Sequence, residues 1–112
     1  MSEALLDWHT PLETGVFKEA EYQKKLRNFI EKERDTAAIV SSALQTNRAK
    51  EAQKKVHDIK TKATQLHAKA LTQAAFSLEM AIKAGADTTV SMKHFDMILM
   101  DTLLAMSAYL NR

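Results

Sequence analysis

Four histidines, His9, His57, His67 and His94, are the residues of this chain whose side chains ordinarily change charge near neutral pH. No two of them stand at i and i+4 on one helical stretch with a matching carboxylate, so a shared helical metal site is not expected. The chain has no cysteine, which excludes disulfide staples, thiolate zinc sites and a cysteine nucleophile. Neither a Ser-His-Asp constellation nor a Gly-rich phosphate loop is legible. Enzyme classes that need several converging groups are therefore poorly supported.

His57 differs from the other three in its place on its helix. It follows Val56, a seam residue, so it flanks an apolar stripe and is expected to be partly exposed. At helical spacing around it stand Gln53, Lys60, Thr61 and Thr64, a polar strip without a carboxylate. A neutral imidazole nitrogen is a nucleophile near pH 7 and can form a covalent phosphoramidate. Lys60, one turn on, could meet the incoming negative charge with an ammonium group. This arrangement suits accepting and passing a phosphoryl group; it offers little for hydrolysis. The plainer alternative is a solvated histidine with no chemistry, the usual state of a surface imidazole.

The elements that must carry this strip are helices. Glycine occurs twice, at Gly15 and Gly85, and proline once, at Pro11, amid abundant Ala, Lys, Glu, Gln, Leu and Met. Thr10-Pro11-Leu12-Glu13 has the form of a helix start, and Gly15 soon interrupts it, so a short leading helix near 10–17 is expected. From 18 to 44 the residues Tyr22, Leu26, Phe29/Ile30, Ala37, Val40 and Leu44 form one stripe, with a bend expected where Glu33 falls on or beside it. Asn47 is a candidate N-cap for the next helix. That helix has the cleanest seam: Ala49, Ala52, Val56, Ile59, Ala63 and Leu66. A break near 67–69 separates it from Leu71, Ala75, Leu78 and Ile82, and Gly85 suits the position past that helix's end. Asp87 or Thr88 can cap a last helix over 88–110, with Met92, Phe95, Leu99, Leu103, Met106 and Leu110 inside. The expected fold is all-α: one domain over residues 1–112, an antiparallel up-down four-helix bundle with a short leading N-terminal helix.

The formal charge of +2 is too small to argue for nucleic acid. Its distribution is uneven, with Arg48, Lys50, Lys54, Lys55, Lys60, Lys62 and Lys69 against Glu51 and Asp58 between 47 and 69. Such a face suits an acidic partner, or simply solvates a helix. No basic stretch followed by an apolar run opens the chain, and the most apolar segment is far shorter than the ~20 residues that span a bilayer. A cytoplasmic protein with no membrane insertion is expected.

Residues 56–71, Val-His-Asp-Ile-Lys-Thr-Lys-Ala-Thr-Gln-Leu-His-Ala-Lys-Ala-Leu, resemble the signature of the histidine-phosphotransfer (HPt) family of bacterial multistep phosphorelays: His-x-x-Lys-Gly, small residues, an apolar residue, a Gly, and a later Leu. Leu78-Glu79 is similar to the family's Leu-Glu on the following helix, and Phe29 and Ala43-Leu44 to its preceding helix. The resemblance covers about residues 15–110. It implies that His57 is the phosphoacceptor, that Lys60 stabilises the phosphoryl group, and that Gln53, Thr61 and Thr64 line the surface on which a partner docks. It implies response-regulator receiver domains, or a hybrid sensor kinase, as partners. The receiver would supply the aspartate, the acidic pocket and the Mg²⁺, with no cofactor bound by this chain, which would be a phosphocarrier rather than an autonomous enzyme. Two positions depart from the pattern. Thr61 stands where the family has Gly, so its side chain is expected close to the imidazole, and His67 replaces a second Gly.

A different class of function, a helical adaptor that binds a receiver or another acidic partner without carrying phosphate, needs neither His57 nor Lys60. A third is dimerisation through the methionine-rich last helix, where Met92, Met97, Met100 and Met106 include positions on more than one face; it competes with the simpler expectation that most of them are core and the chain a monomer.

Overall fold

The computed structural model describes residues 5–112; the first four, part of the N-terminal stretch behind the expectation of no leader, lie outside them. Six helices with both ends defined follow in order among the described residues: α1 (His9–Glu13), α2 (Glu19–Glu33), α3 (Thr36–Gln45), α4 (Ala49–Gln65), α5 (Lys69–Lys83) and α6 (Thr89–Leu110). Among the described residues there is no strand, and no helix is long and apolar enough to cross a membrane. The chain is all-helical, as its composition requires.

The long stretch expected from 18 to 44 is two helices. Glu33 occupies a stripe position and is buried, and a carboxylate there needs partners. It finds them across the break at Arg34-Asp35: the Thr36 hydroxyl donates to Glu33 Oε1 (2.8 Å) and the Lys62 ammonium of α4 donates to Oε2 (2.8 Å). Burial works against the charge, but these hydrogen bonds and the positive charges of Lys62 and Lys55 outweigh it and hold the Glu33 carboxyl below its usual range.

Three helix ends close in the same way. After α3, α4 and α5, residues Asn47 (φ 60°), His67 (φ 62°) and Gly85 (φ 65°) take the left-handed conformation. The next N–H then reaches back to the last turn: Arg48 to Ala43 O (2.8 Å), Ala68 to Ala63 O (2.9 Å) and Ala86 to Ala81 O (3.0 Å). Asn47 therefore ends α3 rather than capping α4, a role its tolerance of positive φ allows. The leading helix is shorter than expected and starts one residue earlier, and Asp7 just before it supports its first turn: Oδ1 accepts the Thr10 N–H (3.2 Å) and Oδ2 the Thr10 hydroxyl (2.6 Å). Asp87 Oδ1 likewise accepts the Thr89 N–H (2.9 Å) at the start of α6.

One apolar core joins the helices. α4 packs along α5, α5 along α6 and α3 along α4, while α2 and α3 both meet α6. Val56, Ile59 and Ala63 of α4 face Leu71, Ala75 and Leu78 of α5, all of them fully buried within the core formed with Tyr22, Leu26 and Phe95. A fully buried side chain of the Val, Leu or Ile type contributes roughly 1.5–3 kcal/mol, so the α4–α5 pair is a firm platform. The N-terminal segment crosses the α4–α5 turn, where the Asp7 N–H donates to His67 O (2.9 Å) and the buried Tyr22 hydroxyl donates to Leu66 O (2.8 Å). On α6, Phe95, Leu99 and Met106 are core as expected; Met97 and Met100 lie on the outer face, more than half exposed, and Thr102 and Tyr109 add to the inner one.

Candidate functional site

His57 stands on α4 beside a seam residue, Val56, that is fully buried. Its own side chain is 56 % exposed, whereas the carboxylate it meets, Glu79 of α5, is only 3 % exposed. The helix pairing makes this contact. Glu79 lies four residues after Ala75 and three before Ile82, on the edge of the α5 seam that faces α4.

Glu79 is held by three cationic or hydrogen-bonding groups. Oε2 lies 3.0 Å from His57 Nδ1, Oε1 lies 2.5 Å from Lys60 Nζ, and Lys83 Nζ, one turn along α5, is 3.7 Å from Oε2. Burial raises the cost of its charge, but the hydrogen bonds from Lys60 and His57 and the charges of Lys60 and Lys83 prevail, so the carboxyl sits below its ordinary value. Glu79 is thus ionised at neutral pH, and an ionised carboxylate can only accept. The proton of this contact therefore belongs to His57 Nδ1, and in the neutral ring the lone pair belongs to Nε2. A buried anion thus sets the tautomer of the neutral ring.

The surroundings are basic. Lys50, Gln53, Lys54 and Lys83 line a shallow depression with His57 and Glu79, and Lys60 Nζ also lies 5.5 Å from the centre of the half-exposed Phe76 ring. Of the residues singled out in the sequence, His57, Lys60 and Gln53 converge here. Thr61 and Thr64 are on the same strip but turn their hydroxyls onto their own helix, Thr61 Oγ1 to His57 O (3.2 Å) and Thr64 Oγ1 to Lys60 O (2.8 Å). Thr64 Oγ1 is also 3.3 Å from Thr72 Oγ1 at the start of α5. The Thr61 hydroxyl is thus engaged with backbone, not with the imidazole.

The carboxylate is what the spacing on α4 alone missed, because it arrives from the next helix. An acidic residue beside the Leu71, Ala75, Leu78, Ile82 seam was the available signal. Lys83 follows from it, since it stands at i+4 from Glu79. His67, where the resemblance sets Gly, occupies one of the left-handed positions that favour glycine. No family model matches the chain, and comparison with curated proteins and with solved structures likewise returns no match.

Proposed function

We propose that the chain is a histidine-phosphotransfer domain: His57 Nε2 takes a phosphoryl group from the aspartate of a response-regulator receiver and passes it to another receiver. The observation that carries the reading is the contact between His57 Nδ1 and the buried, ionised Glu79, which in the neutral ring leaves the lone pair on Nε2 of a side chain that is more than half exposed. In the transfer the Nε2 lone pair attacks phosphorus and an N–P bond forms. The P–O bond of the aspartyl phosphate breaks, and its electron pair returns to the receiver's carboxylate. The Nδ1 proton stays in place, so the phosphorylated ring carries positive charge, which Glu79 offsets across 3.0 Å. Transfer onward reverses these steps. Lys60, part-exposed beside His57, is the cation within reach of the arriving phosphoryl oxygens.

Several features support the same reading. The order and packing of α2/α3, α4, α5 and α6 suit an up-down four-helix bundle with α1 as a leading helix, over a single domain. The lysine-lined depression suits an acidic, Mg²⁺-bearing receiver pocket, or the receiver of a hybrid sensor kinase, in the cytoplasm. The positive φ at His67 suits the family's glycine. The test is transfer from phosphorylated receivers to wild type and His57→Gln, scored as acid-labile, alkali-stable label. Label on the wild type alone is expected. Binding without label on either chain would point to the adaptor.

A further inference from the structure

The outer face of α6 carries a second pattern that the core does not use. Val90, Lys93, Met97, Met100 and Leu104 recur in steps of three and four and are all exposed, Val90 by 81 % and Leu104 by 62 %. On a helix of 3.6 residues per turn this spacing is the seam of a coiled coil, pointing away from Phe95, Leu99, Thr102 and Met106 on the buried side. Single exposed apolar residues need no explanation, but an aligned row of four does.

The charges flanking the row select its occupant. Lys93 and His94 precede the Met97–Met100 centre and Asp101 follows it. When a second copy is laid antiparallel with Met97 against Met100, Lys93 falls beside the partner copy's Leu104. On the flank, His94 then comes opposite Asp101 of the other copy, twice over by symmetry. Asp96, on the other flank, faces Leu103 and meets no like charge. A parallel copy would set Asp96 against Asp101 and Lys93 against Lys93. Self-complementarity about a two-fold axis is the requirement of an isologous dimer.

We infer that the chain self-associates as an antiparallel dimer through the outer face of α6. The contact is one helix pair of about four turns, smaller than the roughly 800 Å² per partner of a standard interface, so the dimer is expected to be weak, populated near ~100 µM. It uses none of the residues around His57, and stands or falls independently of the phosphotransfer reading.

The test is sedimentation velocity over roughly 5–500 µM, a range set by that weak expectation. Asp101→Lys, which removes the carboxylate opposite His94 of the other copy, is expected to weaken the dimer by at least about tenfold. His94→Asp combined with Asp101→Lys restores the opposed pair and is expected to recover most of it. Leu104→Glu should give monomer throughout. All these positions are exposed, and unchanged helical circular dichroism confirms that each variant folds. A wild type that stays monomeric at the highest concentration would overturn the inference and leave the face to another partner. A dimer indifferent to Leu104→Glu would also overturn it, and failure of the double exchange to recover what Asp101→Lys loses would overturn the antiparallel pairing.

Discussion

Replacing Glu79 by Gln removes one charge and almost no volume, and so isolates what the buried carboxylate does. Breaking a fully buried ion pair costs about 3–5 kcal/mol. Here the cations are not buried: the side chains of His57 and Lys83 are at least half exposed and Lys60 is part-exposed, so each can turn to water once the anion is gone. The expected loss is therefore about 1–2 kcal/mol, which at roughly 4 °C per kcal/mol lowers the melting temperature by about 4–8 °C. The chemical effect should be larger than the structural one. A glutamine amide can donate to Nδ1 as readily as accept from it, so the ring is no longer held with Nε2 bare, and the offset to the phosphorylated ring is lost. Removing an orienting partner of this kind typically costs about 10–100-fold in activity. Thermal melts, rates of transfer to His57 and ¹⁵N shifts of the imidazole check the three parts together. An unchanged transfer rate with an unchanged imidazole spectrum would refute the assignment of Glu79 as the group that orients His57.

The two lysines on Glu79 should separate in the same assays. Lys60→Ala is expected to slow transfer without abolishing it, whereas Lys83→Ala, whose ammonium is more distant at 3.7 Å, should change the rate less; the reverse order would move the phosphoryl-binding role to Lys83. Glu33 and Glu79 both have carboxyls held below the ordinary glutamate value of 4.5, so their contribution is full above that pH and lost as pH falls through the lower folded values. Chemical denaturation from pH 6 to pH 3 should therefore show stability falling below about pH 4.5, with a shallower fall in Glu33→Gln or Glu79→Gln. His67→Gly relieves a non-glycine residue held at φ 62° and is expected to raise stability by about 0.5–1 kcal/mol, read as a higher denaturation midpoint.

Much of the fold was legible because its signals are local. The α4 seam, the break near His67 and the left-handed Gly85 each follow from spacing or from a glycine within a few residues of the feature. The bend at Glu33 was legible as a misplaced charge on a stripe, but not as a break, since its partner Lys62 comes from 29 residues away. The same distance effect explains the site. His57 and Lys60 share a helix face and could be paired by counting, whereas the contact with Glu79 needs the α4–α5 packing, 22 residues apart. The caps misled for a different reason. Asn47 both caps helices and tolerates positive φ, and the turn geometry selected the second property. The methionines of α6 populate both faces, as their spacing indicates; Met106 is core, while Met97 and Met100 are not.

The most direct test of the account is phosphoryl transfer from a panel of phosphorylated receiver domains, with wild type beside His57→Gln. His57 is exposed and off the core, so the substitution should leave the melting temperature nearly unchanged. The account predicts acid-labile, alkali-stable label on the wild type and none on the variant. Label that survives His57→Gln, or a wild type that binds receivers and never takes label, would contradict it.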